Sequence, residues 1–385
     1  MKVLVLGTSN SIMRDGWLRL SREAAGRRGV QFDNQSVGAS TSLYMAYRLH
    51  DLNLLNQVDR VVVDFCINDQ IYIDAGIYDI PRAEGHYMVA FRQLAQRNML
   101  SKTVVLLFPQ QRFAVSGEVC HLIERIRALC RQFGVKVLDA GPLVIAMATD
   151  RHEHVSNAYN DPRHFAPEYQ RMIGKTVLSH LRYQTWCSPT VWANRRALRV
   201  IPAACIHPLR IQPVSNIEKI SVGTSLARRE VLPFPHDARA TVSGARWLLG
   251  VFHWTHSNSG VFCLTGQGEQ RRFHIRRAWE NIFLFDDVSP PFPLQAGGAA
   301  LHVANTRTVP FKVLQGQHSS IYDCSDTTVD LVALVGSDLL PTELFARGKR
   351  CHAQCAMPLS RRLVHGFHQR LIGAVRKVWR KPRGL

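Results

Sequence analysis

The feature that most constrains the fold of this chain is its first segment, Val3–Ser9, which reads Val-Leu-Val-Leu-Gly-Thr-Ser. Four apolar residues lead into a glycine and two small hydroxyl residues, and a segment with helical spacing of its apolar residues follows. This pattern predicts a buried strand that ends at a strand-to-helix turn. In an α/β sheet such a turn lies at the carboxyl edge, where ligands bind. Ser9 is therefore a candidate nucleophile, and its alternative role is to cap the following helix.

The same alternation continues to about residue 185. Five short segments rich in β-branched residues predict strands that are buried on both faces: Val3–Leu6, Val30–Phe32, Val61–Phe65, Val104–Phe108 and Val135–Leu138. Segments with helical spacing lie between them, at 87–95 and 122–133, and a last helix begins at Pro167. This pattern predicts an α/β domain with a parallel sheet covered by helices on both faces.

Polar groups follow several of these strands. Gly38 lies in the polar loop after the second strand, Asn68 and Asp69 follow the third, and Asp161 and His164 precede the last helix. Because loops after parallel strands converge on one edge, we expect a hydroxyl, a backbone donor, an amide and an Asp–His pair to meet there. Acyl transfer by a serine needs such a set, namely a base, a carboxylate that orients it and donors for the oxyanion.

These segments resemble the four sequence blocks of the SGNH or GDSL hydrolases, in order and at plausible spacing. The blocks correspond to Gly7-Thr8-Ser9, Gly38, Cys66-Ile67-Asn68-Asp69 and Asp161-Pro162-Arg163-His164. The resemblance implies a three-layer, flavodoxin-like sheet over residues 1–185. It also implies that Ser9 is the nucleophile, His164 the base and Asp161 its orienting partner. The oxyanion hole would consist of the Ser9 and Gly38 N–H groups and the Asn68 amide.

The chain departs from the family pattern at two positions. Thr8 replaces the usual aspartate and Cys66 the usual glycine, and neither change removes a catalytic group. Arg14 and Asp69 are close enough to the predicted site in sequence to bind substrate, although an exposed ion pair with Asp15 would equally explain Arg14.

Past residue 185 the pattern changes. A proline-punctuated segment, 186–215, predicts a linker or packed connector. Residues 216–345 predict a β-rich, sandwich-like domain with eight short strands: Ile217–Val222, Arg246–Trp254, Gly260–Thr265, Phe273–Arg277, Ile282–Phe285, Ala300–Val303, Val309–Leu314 and Thr328–Val335. Beside an esterase domain, such a sandwich suggests carbohydrate binding. Sugar rings would stack on Trp247, Trp254 and Trp279 and contact nearby arginines. The alternative is that the tryptophans fill the core and the arginines lie on its solvent-exposed rim.

The charge of the chain is concentrated at its end. There are 48 Lys and Arg against 29 Asp and Glu, a net charge of +19, and the segment 359–385 holds eight basic residues and no acidic one. Residues 359–383 predict a basic amphipathic helix, suited to an anionic membrane surface or to packing on the protein itself. Nucleic acid ranks last as a partner, because no recognisable nucleic-acid-binding module accompanies this charge.

The cysteines and the N-terminus indicate the compartment. Nine cysteines without regular spacing predict a reducing environment, and the N-terminus lacks the pattern of a secretory signal. We therefore expect a cytoplasmic protein, peripheral on the inner membrane face if the basic helix binds lipid. The segment Cys351–Cys355 lacks a second ligand pair at zinc-finger spacing, so neither a metal nor another cofactor is expected. The sequence does not indicate the oligomeric state.

Three functions fit these observations. The first is an esterase that removes O-acyl groups, most simply acetyl, from a saccharide through an acyl-enzyme on Ser9. The second is a polysaccharide O-acetyltransferase that uses the same residues at the membrane. The third is an inactive relative that only binds glycans, which the altered first and third blocks keep open.

Overall fold

The computed structural model describes residues 1–182, 191, 194–196, 198–202, 205–224, 228–235, 237–256, 259–274, 281–294, 299–303, 312–313, 316–317, 329–340 and 343. The N-terminal domain contains the strands β1 (Lys2–Gly7), β2 (Gln31–Asn34), β3 (Arg60–Asp64), β4 (Thr103–Leu107), β5 (Lys136–Asp139), β6 (Tyr159–Asp161) and β7 (His164–Phe165). Its helices are α1 (Ser9–Ile12), α2 (Trp17–Gly26), α3 (Ser42–His50), α4 (Leu52–Asn56), α5 (Cys66–Asp74), α6 (Ile80–Gln96), α7 (Gln111–Ser116), α8 (His121–Phe133), α9 (Ala140–Asp150) and α10 (Pro167–His180).

The first five strands form one parallel sheet in the order β2-β1-β3-β4-β5. This arrangement confirms the predicted α/β fold and its five strands, whose ends differ from the prediction by a few residues. From β1 the chain first adds β2 on one side of the sheet and then β3, β4 and β5 on the other side. The switch point where α/β sheets bind ligands therefore lies between β1 and β3. Ser9 follows β1 and Asn68 follows β3, which brings both residues to this point.

Local chemistry sets the helix boundaries. Helix α8 ends at Gly134, whose φ of 64° is the left-handed conformation that glycine adopts without strain. Helix α10 begins with Pro167, since the first helical position needs no N–H donor. The helix-like segment after β1 is split into α1 and α2 at Gly16, where a Cβ atom would lie 2.2 Å from the Asn10 carbonyl oxygen.

The second domain is built from two β-sheets. Its strands are β8 (His207–Pro208), β9 (Arg210–Pro213), β10 (Ile220–Gly223), β11 (Arg228–Phe234), β12 (Arg239–Ser243), β13 (Trp247–Thr255), β14 (Val261–Gly266), β15 (Glu269–His274), β16 (Ile282–Pro293), β17 (Ala299–Val303), β18 (Lys312–Val313), β19 (Gly316–Gln317) and β20 (Val329–Ser337). One sheet has the order β10-β11-β20-β13-β16, with β8 beside β20, and the other has the order β15-β14-β17-β12-β9. Strands β18 and β19 pair only with each other among the described strands.

The predicted β-rich domain is present, and the structure differs from the prediction at two pairs of strands. Strands β8 and β9 lie within the segment 186–215 that was assigned to the connector, and they pair with β20 and β12. Strands β11 and β12 were not predicted, because their apolar residues are interrupted by charged and proline residues. The predicted strand Val309–Leu314 falls largely outside the described residues.

The sheet that contains β13 is buried on both faces. Its residues Leu248 and Val251 pack with the second sheet, while Leu249 and Phe252 belong to the core cluster of the N-terminal domain. Tyr44 of α3 lies 5.4 Å from Phe252, measured between ring centroids. The two domains therefore share one continuous hydrophobic core.

Several sequence-based predictions lie outside the described residues: the basic amphipathic helix 359–383, the segment Cys351–Cys355, and Trp279. Within the part of the chain that is described, no helix is both long and apolar enough to cross a membrane.

Candidate active site

The structure brings together the three residues that the sequence placed in a catalytic triad. Ser9 Oγ lies 2.7 Å from His164 Nε2, and His164 Nδ1 lies 2.7 Å from Asp161 Oδ2. Ser9 is the first residue of α1, and the other two lie in the β6–β7 hairpin that precedes α10. The chain thus forms a continuous Ser–His–Asp hydrogen-bond relay, in which Ser9 and His164 are 155 positions apart in the sequence.

The surroundings of Asp161 fix the direction of this relay. Partial burial acts to raise the pKa of Asp161, but hydrogen bonds from the His164 ring and from the Arg163 and His164 N–H groups outweigh it and lower the pKa. An ionised carboxylate only accepts hydrogen bonds, so His164 Nδ1 must carry the proton. Its Nε2 is then an acceptor and can take the proton of Ser9, as a general base does.

A buried carboxylate, Asp64, lies beneath the nucleophile turn. Thr8 Oγ1 donates to Asp64 Oδ1 at 3.0 Å, and Ser11 Oγ donates to Asp64 Oδ2. Trp17 Nε1 in turn donates to Ser11 Oγ at 3.0 Å. Burial raises the pKa of Asp64 to about 7, against the hydrogen bonds from Ser11 and Thr8. Thr8, which stands where the resembling sequence block usually has aspartate, therefore has a defined role as a donor that ties the turn to β3.

Close packing at this turn also explains Gly7. A Cβ atom at Gly7 would lie 2.6 Å from Ser11 Oγ and 2.7 Å from Asp64 Oδ2. Any larger residue would therefore push the carboxylate and the turn apart, and Ser9 would move with them.

The residues predicted to form the oxyanion hole lie in the nucleophile turn, in the loop after β2 and at the start of α5. Val37 N–H donates to the Gly7 carbonyl at 3.0 Å, which holds Gly38 beside the nucleophile turn. Asn68 Nδ2 donates to the Ser40 carbonyl at 2.8 Å. An amide nitrogen carries two hydrogens, so this bond leaves the second for an oxyanion. The structure thus places Ser9, Gly38 and Asn68 around one edge, and their assignment as an oxyanion hole stays a prediction.

The second domain contacts this loop directly. Thr41 Oγ1 donates to Asp287 Oδ1 of β16 at 2.6 Å. Arg82 Nη2 donates to the Val288 carbonyl at 3.0 Å, and Arg82 Nη1 to Ser289 Oγ at 3.1 Å. Burial raises the pKa of Asp287 to about 6, opposed by the charge of Arg82. The β-domain therefore helps to hold the loop that carries Gly38.

Two predicted substrate-binding residues have different positions. The prediction that Asp69 binds substrate is wrong, because its side chain is fully buried and out of reach of a substrate. Its Oδ1 accepts hydrogen bonds from the Ser42 N–H at 3.0 Å and the Tyr78 hydroxyl at 2.5 Å, so it anchors the start of α3. Burial raises the pKa of Asp69 to about 7. Arg14 is exposed just after α1, and its role in substrate binding stays a prediction.

Some supporting residues were not foreseen from the sequence. Gln170 Nε2 donates to Asn10 Oδ1 at 2.7 Å and Gln170 Oε1 accepts from the Trp17 N–H at 3.1 Å, so α10 is tied to α1 and α2. Asn10 Nδ2 donates to the Arg163 carbonyl at 3.4 Å. These contacts hold the Ser9 and His164 segments in register, and no spacing in the sequence announces them. Asp64 did have a signal, since it is a charged residue at the end of an apolar strand.

The tryptophans proposed for sugar binding have other surroundings. Trp254 is buried in the core shared by the two domains, 4.7 Å from Phe283 between ring centroids, and Trp247 packs against the same cluster. Their position favours the core alternative over a sugar-binding platform. Among the described residues there is no group of three or more His, Cys, Asp and Glu side chains arranged to hold a metal ion.

The fold and site together define a two-domain protein with a Ser–His–Asp relay at the switch point of an α/β sheet. No protein-family model matches the chain, and no curated protein matches it in sequence. It is similar in structure to a two-domain esterase active on acetylated mannans, co-crystallised with mannopentaose: the TM-score is 0.56 at 10% identity, covering 88% of this chain and 90% of that chain. For a second structure of a two-domain esterase active on acetylated mannans the TM-score is 0.53 at 9% identity, covering 88% of this chain and 91% of that chain. These similarities show a shared two-domain fold.

Proposed function

We propose that this protein is a serine esterase that removes O-acetyl groups from a saccharide. The observation that carries the proposal is the relay of two 2.7 Å contacts from Ser9 through His164 to Asp161, at the sheet edge where α/β proteins bind ligands. The likeness in fold to esterases active on acetylated mannans supports a saccharide ester as the substrate class.

The proposed reaction gives each residue of the relay one role. Ser9 Oγ attacks the ester carbonyl while its proton passes to His164 Nε2, and Asp161 stabilises the resulting imidazolium. The tetrahedral oxyanion accepts hydrogen bonds from the Ser9 and Gly38 N–H groups and the Asn68 amide. His164 then returns the proton to the departing sugar oxygen, and the acetyl group stays on Ser9. Water attacks this acyl-enzyme, with His164 again as the base, and acetate leaves.

The first experiment measures hydrolysis of a chromogenic acetyl ester and of an acetylated mannooligosaccharide. Ser9→Ala and His164→Ala should each lower kcat by at least about 10⁴-fold, because residues of a triad act as a unit. Ser179→Ala and His121→Ala, which change exposed residues of the same types, serve as matched controls. Intact mass after treatment with a fluorophosphonate should show one label in the wild type and none in Ser9→Ala.

Three results separate the possible functions. If added saccharide acceptors divert acetyl groups from water, the acyl-enzyme is that of a transferase. Turnover that survives in Ser9→Ala would contradict the nucleophile assignment. Folded wild-type protein with neither turnover nor label, but with glycan affinity, would replace the enzyme proposal by that of a binding protein.

A further inference from the structure

The loop 37–42, which carries Gly38, contains a non-glycine residue in a left-handed backbone conformation. Ala39 has a φ of 54°, a region that residues with a side chain rarely adopt. Such a conformation persists only where the surrounding contacts hold it, and residues of this kind are often found at active sites. Ala39 directly follows Gly38, whose N–H group is a predicted oxyanion donor. The direction of that N–H group therefore depends on the contacts that hold the loop.

Contacts within the N-terminal domain anchor this loop on both sides of Ala39. Before it, the Val37 N–H donates to the Gly7 carbonyl at 3.0 Å. After it, the Ser40 hydroxyl donates to the Val37 carbonyl at 2.6 Å, and the Ser40 carbonyl accepts from Asn68 Nδ2 at 2.8 Å. The Ser40 carbonyl thus also sets the direction of the Asn68 amide. Movement at Ser40 would therefore disturb two of the predicted oxyanion donors at once.

The next anchor along the loop comes from the β-domain. Thr41 is fully buried, and its hydroxyl donates to Asp287 Oδ1 of β16 at 2.6 Å. Arg82 of α6 fixes this part of β16, because it donates to the Val288 carbonyl at 3.0 Å and to the Ser289 hydroxyl at 3.1 Å. A buried hydroxyl depends on an acceptor within the protein, and Asp287 provides one for Thr41. The β-domain thus supplies a fixed acceptor two residues after Ala39.

We propose that Asp287 is a positioning residue for ester hydrolysis, which acts through Thr41 on the loop that carries Gly38. This role rests on the proposed esterase function. It gives the β-domain a part in catalysis that needs no contact with the substrate, namely to hold the oxyanion donors of the other domain in place. A carboxylate suits this position, because a hydrogen bond to an ionised acceptor is stronger than one between neutral groups.

The test is steady-state hydrolysis of a small chromogenic acetyl ester at pH 8 by the full chain, so that contacts of the β-domain with a saccharide do not enter the rates. Asp287→Ala and Thr41→Val should each lower kcat about 10- to 100-fold and change KM less than about twofold, because misplaced donors weaken binding of the transition state and not of the substrate. Thr41→Ser keeps the hydroxyl and should lose less than about threefold in kcat. Asp338→Ala and Thr265→Val, which change exposed residues of the β-domain, are matched controls and should leave kcat unchanged.

Two further measurements separate positioning from a general loss of stability. The double variant of Asp287→Ala and Asn68→Ala should lose less in kcat than the product of the two single losses, because both changes act on the same oxyanion hole. Hydrogen exchange of the backbone amides 37–42 should be faster in Asp287→Ala than in Asp338→Ala, at a temperature where both variants are folded. Melting temperatures identify a variant that fails to fold, and Thr41→Val then carries the test.

The outcomes distinguish failure of this role from failure of the proposed function. Turnover that is lost in Ser9→Ala but kept in Asp287→Ala and Thr41→Val would overturn the positioning role and leave the esterase. A raised KM with unchanged kcat would also overturn it, since Asp287 would then serve substrate binding. Independent losses in the double variant with Asn68→Ala, or unchanged exchange of the loop amides, would count against it equally. Folded wild-type protein with neither turnover nor fluorophosphonate label would overturn the proposed function, and the positioning role with it.

Discussion

Replacement of the buried carboxylate below the nucleophile turn should make the protein more stable at neutral pH. Asp64→Asn keeps the side-chain volume and can still hydrogen-bond the hydroxyls of Thr8 and Ser11, because a hydroxyl both donates and accepts. What it removes is the cost of a buried negative charge. That cost follows from the pKa of Asp64, which is about 7 in the folded protein and has an ordinary value of 3.8.

The sign and size of the effect follow from this difference. Between about pH 4 and pH 7 the folded protein keeps the Asp64 proton while the unfolded chain releases it, so stability falls as pH rises. A difference of about three pKa units corresponds to about 4 kcal/mol in the free energy of unfolding. The whole contribution is present below pH 4 and is lost once the pH passes 7.

The assay is urea unfolding of the wild type and Asp64→Asn at pH 4.5 and pH 8. The stability of the variant relative to the wild type should rise by about 3 kcal/mol from pH 4.5 to pH 8, because part of the effect is already lost between pH 3.8 and pH 4.5. Asp150→Asn, at the exposed end of α9, controls for removal of one negative charge from a strongly basic chain. A difference between wild type and Asp64→Asn that stays constant with pH would refute the reasoning. It would mean that the hydrogen bonds from Thr8 and Ser11 outweigh burial and keep Asp64 ionised.

Other contacts of the site and of the shared core give three further predictions. Asn68→Ala should raise the barrier of ester hydrolysis by about 3 kcal/mol, and the effect should be in kcat rather than KM. Asn56→Ala, which changes an exposed residue, should leave kcat unchanged. A loss of kcat below threefold in Asn68→Ala would mean that Asn68 has only a structural role. Thr41→Val should lower the free energy of unfolding by about 1.5–3 kcal/mol. In a double-mutant cycle with Asp287→Asn, most of this loss should appear as a coupling energy between the two residues. Additive effects would show that the pair is uncoupled. Phe252→Ala should lower the free energy of unfolding by about 3–5 kcal/mol. Calorimetry should show a single unfolding transition at a lower temperature, and two separate transitions would contradict a shared core.

The sequence was sufficient to predict the sheet and the triad, and the reason is physical. Strands buried on both faces need continuous apolar residues, so β1, β3 and β4 stand out against their polar loops. The order of a parallel sheet then brings the ends of these strands to one edge. Ser9 and Asn68 were found in this way, and His164 was found from its position beside Asp161 before the last helix and from the resemblance of this segment to the fourth block.

The remaining contacts of the site could not be predicted, because they depend on side chains that meet only in the folded state. Asp69 has the sequence position of a substrate ligand, yet it is buried because α3 and Tyr78 close over it. The bond between Thr41 and Asp287 joins residues 246 positions apart. Trp254 lies in a segment whose pattern predicts a strand, but the pattern does not show which face of the sheet the N-terminal domain covers.

The core that spans both domains also limits how such a protein can be remodelled by evolution. A domain that is exchanged between proteins by gene fusion must leave its host with a complete interior when it is removed. Here Phe252 and Phe285 of the β-domain fill the space around Tyr44, and β13 would lose the cover of one face if the N-terminal domain were absent. We therefore expect the two domains to be inherited together, and a substitution on either side of this boundary to be accepted only where it fits the side chains of the other domain.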